Sequence, residues 1–177
     1  YLEHALDGAE CIPLTTVMHS ASGTGEAVDY ALKWVVDGPA PLAESYVNLI
    51  PTPQGGTHVN GLRSGLIDAL KEFCEFRDLI PRGVKITGDD IWEQCSYVLS
   101  AKLGDPQFAG QTKERLSSRQ AAVFVAGAAK DAFSLWLNEH ASEGESIAEL
   151  AINNAQRRIQ AAKKVARKRV TAGPALP

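Results

Sequence analysis

At Thr57 the hydrophobic period of the chain changes, and that change limits the fold. Upstream, apolar residues gather in short β-branched or aromatic segments: "IPLTTVMHS" (Ile12 to Ser20), "AVDYALKWVVDG" (27–38) and "ESYVNLIP" (Glu44 to Pro51). Runs of this composition, bounded by Gly and Pro, predict strands. The links over 21–26 and 37–43 read as turns, so neighbouring antiparallel strands are expected. Downstream, Val59, Leu62, Leu66, Ala69, Leu70 and Phe73 recur at spacings of three and four. That is one face of a helix, with Thr57 as its expected N-cap.

The same reading extends to both ends. Leu2, Ala5 and Leu6 share a helical face, and Gly8 is a suitable stop, so residues 1–8 read as the end of a helix. Thr87 precedes Asp90 by three, a capping-box pattern, and Asp89 and Asp90 suit a helix N-terminus. That helix is short, because Ser96 to Leu103 returns to strand composition. Ser117 and Gln120 predict another start, for a helix from Arg119 to Asn138. Its Val123, Phe124, Val125, Ala129, Phe133, Leu135 and Trp136 are spread widely enough to predict burial.

Ser142 and Glu145 predict the start of a last helix. Ile147, Leu150, Ala151, Ile159, Ala162 and Val165 carry its stripe to about Val170, and Gly173 and Pro174 end it. At 1.5 Å per residue it would reach roughly 40 Å, longer than the domain is wide, so it should project. The expected class is α+β, with a mixed sheet of about four strands, helices on one face and a long projecting C-terminal helix.

With 177 residues, 45% of them hydrophobic, one domain plus an extension is expected. No apolar run approaches the roughly 18–20 residues of a membrane span. The chain starts at Tyr1 rather than Met, which reads as a processed or excised piece. Cys11, Cys74 and Cys95 are far apart and read as reduced thiols of a cytoplasmic protein. His4, His19, His58 and His140 have no metal-ligand spacing, so no metal site is expected.

Charge is strongly divided. Up to position 156 there are 11 basic and 21 acidic residues, a formal −10; beyond it stand seven basic residues and no acidic one. Together these make the chain's −3. Arg157, Arg158, Lys163, Lys164, Arg167, Lys168 and Arg169 fit either an anionic partner such as nucleic acid or a solvated helix face.

Between the last predicted strand and the buried helix lies "DPQFAGQTKERLSS" (Asp105 to Ser118). A P-loop needs four residues between its first Gly and its Gly-Lys-Ser/Thr. Here Gly104 and Gly110 enclose five, and Gln111-Thr112-Lys113 follows. The Walker reading fails, and Gly23-Thr24-Gly25 lacks the third glycine of a dinucleotide fingerprint. What remains is a surface turn, or a loop extending an ammonium and an amide towards a terminal phosphate.

Two blocks carry a resemblance: "ESYVNLIPTPQGGTHVNGLRSGLIDALKEFCEFRDLIPRGVK" and "DDIWEQCSYVLSAKLGDPQFAGQTKERLSSRQ". They resemble the B subunits of bacterial type II DNA topoisomerases, in order and at fitting spacing, strongly over residues 44–177 and loosely over 1–43. "FCEFRDLIPRG" looks closer to the topoisomerase IV type than to the gyrase type.

The resemblance implies a transducer domain with a ribosomal-protein-S5-domain-2-like fold. Residues 1–12 would end a linker helix from a GHKL ATPase domain, 13–140 would be the transducer, 141–170 the long basic helix, and 171–177 the start of a linker to a Toprim domain. It implies that Gln111 and Lys113 reach the ATP γ-phosphate in the preceding domain. It also implies that Arg63 and the seven basic residues from Arg157 face a transported DNA duplex.

The implied cofactors are ATP and Mg²⁺ in the whole protein, with none bound to this piece alone. The implied partners are double-stranded DNA, a topoisomerase A subunit and a second B subunit. Alternatives from the same residues are a stand-alone S5-like nucleic-acid-binding module, or the transducer of the gyrase B subunit. Gly55, Gly56 and His58 read as structural.

Overall fold

A computed structural model describes residues 1–172, with side chains described to Val170. Gly173 and Pro174, expected to end the last helix, and the linker expected over 171–177 lie outside the described residues, except for the helical backbone that continues to Ala172.

Strands β1 (Glu10–Gly23) and β2 (Glu26–Asp37) form the expected antiparallel hairpin, closed where Gly23 pairs with Glu26. The next neighbour of β2 is not β3 (Ala43–Val47) but β5 (Cys95–Leu103), which runs antiparallel to β2 and parallel to β3. The expected β2–β3 pairing is therefore wrong. Burial supplies the reason. Tyr97, Leu99 and Ala101 are buried on one face of β5 and Ser96 on the other, and a strand covered on both faces belongs inside a sheet.

With β4 (Ile50–Pro51), the sheet has five strands rather than four, in the order β1-β2-β5-β3-β4. The predicted strand Glu44–Pro51 folds back on itself, because Asn48 and Leu49 both adopt positive φ, 50° and 68°. That geometry makes a two-residue hairpin turn and separates β4 (Ile50–Pro51) from β3. Asn48 also closes the end of β5: its Nδ2 donates to Leu103 O at 3.0 Å, and Leu103 N donates to its Oδ1 at 2.9 Å.

Three helices cover one face of the sheet: α2 (Thr57–Phe76), α4 (Arg119–Glu139) and the first half of α5 (Ala141–Ala172). They enclose one core, with Leu32, Trp34, Leu62, Leu66, Leu70, Leu99, Phe133 and Ile147 fully buried. The opposite face is not bare. A short α1 (Leu2–Ala5) sets Leu2 and Leu6 against Val35 there, while Ala5 is exposed. So helices occupy both faces, and the first helix is shorter than residues 1–8.

Three helix readings need correction. Gly56, not Thr57, is the N-cap of α2. Ser118, not Ser117, is the N-cap of α4, and its hydroxyl accepts from Gln107 N at 2.8 Å instead of capping. Finally, α4 is buried on one stripe, Ala121, Val125, Ala129, Phe133 and Leu137, and not all round. Val123 is 75% exposed and Leu135 60%.

The approach of α2 to α4 is backbone-close. A Cβ on Gly61 would lie 2.6 Å from Ala122 O, and one on Gly65 would lie 2.5 Å from Ala126 O. Only hydrogen at these positions admits the neighbouring helix.

Helix α5 belongs to the core at its start and leaves it afterwards. Ile147, Ala148, Ala151, Ile152 and Ala155 are buried, and every described residue from Gln160 is exposed. The residues past Ala155 project by roughly 25 Å at 1.5 Å per residue. Ile159 is half-buried, but Ala162 and Val165 are exposed, so the predicted stripe loses its packing partner midway.

Candidate functional site

The loop after β5 is a small tethered lasso. Ala109 N donates to Arg115 O at 2.9 Å and Ser117 N to Gln107 O at 2.7 Å, so its two sides are paired. The tip, Gly110 to Glu114, stands clear of this stem. Gln111 and Lys113 are both exposed there, and among the described residues neither side chain has a hydrogen bond or ion pair. Lys113 itself has φ 56°, in the left-handed region that non-glycine residues seldom occupy.

The lasso is bound to the turn before α2. Leu116 N donates to Gly55 O at 3.0 Å, Thr57 N donates to Leu116 O at 3.0 Å, and Gln54 N donates to Glu114 O at 3.0 Å. The Leu116 side chain is buried with Val47 and Ala121. Thus the GGTH block and the QTK block, read separately in the sequence, meet as one structural unit. The adjacent glycines were the available signal, but nothing local named Leu116 as their partner.

Beneath the turn runs a buried polar chain. His58 Nε2 meets Thr52 Oγ1 at 3.1 Å, and Thr52 Oγ1 meets Ser45 Oγ at 2.7 Å. Burial holds the His58 imidazole down at about 4, so it is neutral near pH 7. This ties α2 to β3 and agrees with a structural role for His58.

The predicted basic residues do not behave alike. Arg157, Lys163, Lys164, Arg167, Lys168 and Arg169 are exposed along the projecting half of α5. Arg157, Lys164 and Lys168 share a face by helical spacing. Arg158, although in the same run, turns inward. Its Nη2 donates to Asp90 Oδ2 at 3.0 Å and to Lys85 O at 2.8 Å. Arg63 on α2 pairs with Asp89 at 2.8 Å, with both side chains substantially exposed.

Asp90 lies in α3 (Gly88–Trp92), where Thr87 N donates to its Oδ2 at 2.8 Å. The reading of Asp89-Asp90 as a helix N-terminus holds, but Asp90 is also 5% exposed and paired with Arg158. Burial opposes its ionisation; the Arg158 guanidinium and the two Thr87 donors outweigh that, and its carboxyl sits below the ordinary value.

Among the described residues no group of three His, Cys, Asp or Glu is placed to hold a metal ion. Nor is any helix among them long and apolar enough to cross a membrane.

The family model for DNA gyrase B matches residues 1–167. The chain is 62% identical over its whole length to the B subunit of DNA topoisomerase 4 from Haemophilus influenzae, and 60% identical to that from Escherichia coli K12. Against the DNA gyrase B subunit of Mycobacterium tuberculosis it is 32% identical over 92% of its length. The chain spans 28% of the two topoisomerase 4 subunits and 24% of the gyrase one.

Among solved structures, the topoisomerase IV ATP-binding domain of Francisella tularensis in complex with a small-molecule inhibitor superposes with TM-score 0.80 at 41% identity, over 90% of this chain and 42% of that one. The 43K ATPase domain of Thermus thermophilus gyrase B gives 0.84 at 26% identity, over 94% and 44%. The expected family and its topoisomerase IV leaning therefore stand: the chain belongs to the DNA gyrase B family.

Proposed function

We propose that this chain is the transducer domain of a topoisomerase IV B subunit, part of an ATP-hydrolysing type II DNA topoisomerase. One observation carries the reading. Lys113 and Gln111 stand exposed at the tip of a tethered loop, with their head groups left without partners among the described residues.

An exposed ammonium and a neutral amide fit the outermost phosphate of a nucleotide held by a neighbouring domain. The implied Mg²⁺ would accompany that nucleotide in the neighbouring domain. ATP supplies a terminal phosphate that is present before hydrolysis and absent after it. Lys113 gains a charge-assisted contact in the first state and loses it in the second. A contact that differs between two states is what shifts their equilibrium. Leu116 and α4 carry the loop's position into the packed body, and α5 extends that body outward.

The exposed basic side chains of α5, with Arg63, would face the phosphates of a transported duplex, in contacts that are salt-dependent and do not read sequence. Coupling nucleotide turnover to capture and passage of that duplex would give decatenation and relaxation. The partners would be double-stranded DNA, a topoisomerase A subunit and a second B subunit, in the cytoplasm. The 60–62% identity to topoisomerase 4 B subunits supports this over the gyrase alternative.

The test is Lys113→Ala in the full-length protein. Turnover of ATP should fall by about 10²-fold, in the range expected when a preorganised charged donor is removed, with nucleotide affinity largely retained. Unchanged turnover would overturn the role of Lys113.

A further inference from the structure

We propose that the Gly55-Gly56 turn is the mount of the Lys113 loop, and that Gly56 is a positioning residue for Lys113. The functional half of this inference rests on the role proposed above for Lys113. The structural half stands without it.

The two segments lie in parallel backbone register, with Gly56 bridged to Leu116. Hydrogen bonds flank that bridge on both sides, from Leu116 N to Gly55 O and from Thr57 N to Leu116 O, each 3.0 Å. A side chain adds a further link: Gln54 Nε2 donates to Glu114 Oε2 at 2.7 Å, one residue from Lys113. Between these contacts there is no room for a side chain at Gly56. A Cβ there would overlap the amide N and carbonyl O of Leu116 and lie 2.8 Å from its Cα. Those atoms are backbone and cannot swing aside.

Gly55 is the internal comparison. It too has positive φ, 68° against 133° at Gly56, so alanine is strained at both. Yet a Cβ at Gly55 would meet nothing nearer than a methyl of Val59 at 3.5 Å. Two adjacent glycines thus share a turn but have different duties. Gly55 makes the turn, and Gly56 admits the loop.

The mount is rigid from below. The chain of His58, Thr52 and Ser45 ties the turn to β3. Leu116 is itself anchored against Val47 and Ala121. Farther along, Gly61 and Gly65 lock α2 to α4, the helix that continues the loop. A displacement of Lys113 therefore reaches α2 through Leu116 and Gly56 as well as α4 through the chain. The consequence is that moving the loop moves two packed helices as a pair.

The first experiment uses the chain as it stands. Limited trypsin digestion would follow cleavage after Lys113 by mass spectrometry, in wild type, Gly56→Ala and Gly55→Ala. Proteases need a locally opened segment, so the cleavage rate reports how firmly the loop is held. Gly56→Ala should raise it at least about tenfold, while Gly55→Ala stays within about threefold of wild type. Equal rates in all three would overturn the mount. If Gly56→Ala does not fold, Gln54→Ala substitutes for it. That variant removes the Glu114 contact at an exposed site and should raise cleavage about threefold, against no change if the mount is wrong.

The second experiment uses the full-length protein and a double-mutant cycle. If Gly56 acts through Lys113, Gly56→Ala lowers ATP turnover, and adding it to Lys113→Ala lowers turnover no further. If Lys113→Ala lowers turnover and Gly56→Ala does not, Gly56 is not a positioning residue for Lys113, while the proposed function survives. If Lys113→Ala has no effect but trypsin still separates the two glycines, the mount survives and the proposed function fails.

Discussion

Arg158 holds both carboxylate oxygens of Asp90, Nη2 to Oδ2 at 3.0 Å and Nε to Oδ1 at 3.3 Å, across 68 residues of sequence. The pair marks the point where α5 leaves the body. Asn154, one turn earlier, donates to Asp90 O at 3.0 Å and to Gln94 Oε1 at 2.6 Å. Two successive turns of α5 are thus bonded to α3 and the residues after it, and the projection of the helix is set there. One residue of a seven-residue basic run is turned inward to do this.

Arg158→Ala should destabilise the chain, because it leaves the buried Asp90 carboxylate without its guanidinium. Asp90→Asn in the same background should recover part of the loss, because it removes the unpaired charge. Urea unfolding of wild type, the two single variants and the double variant measures both effects.

The same pair predicts acid sensitivity. The folded-state value of Asp90 is depressed, so its contribution is fully present above the unfolded value of roughly 3.9 and is lost as pH falls through the lower folded value. An Asp90→Asn variant should lack this part of the acid-side slope.

His58 predicts a second window at higher pH. Its ring is held at about 4 when folded, against an ordinary value of 6.5. The unfolded chain therefore takes up a proton first, and stability should decline as pH falls from roughly 6.5 towards 4, by about 3 kcal/mol in all. His58→Gln should remove this contribution and leave in the window only that of His19, whose ring is also lowered by burial. Unfolding midpoints across the range would reveal it.

Gly→Ala exchanges should change sign between positions. In an open helix position the exchange gains about 0.5–1 kcal/mol, and Gly127 on α4, with nothing within 4 Å of a Cβ, should show that gain. At Gly61 or Gly65 the added methyl meets helix backbone, and overpacking of about 1–3 kcal/mol should outweigh the propensity gain. Thermal unfolding of the three single variants decides it.

If the projecting half of α5 faces DNA, duplex binding should weaken linearly in log salt. Replacing Lys163 and Lys164 by Ala should reduce the slope by roughly 0.9 for each phosphate no longer neutralised. Arg158→Ala should leave the slope unchanged, since its guanidinium is engaged by Asp90 and Lys85 O. Fluorescence anisotropy over a salt series distinguishes the two.

Local pattern was enough for much of this protein. The spacing of Leu62, Leu66 and Leu70 locates α2, and the aromatic and β-branched runs locate β1, β2 and β5. The long basic helix was legible too, because at 1.5 Å per residue a helix of that length exceeds the width of the domain and has to project. These features depend on residues a few positions apart, where the period of the backbone itself sorts side chains onto faces.

Tertiary structure decided what depends on distant partners. Nothing near β2 in the chain announces that β5, from Cys95 onward, will come between it and β3. The burial of Val125 but not Val123 follows from which side of α4 meets the glycines of α2. Arg158 and Lys164 look alike in the sequence, and a buried Asp90 separates them. The Lys113 loop was visible as a loop, but its mount was not, because the space that excludes a side chain at Gly56 exists only once Leu116 has been folded onto it.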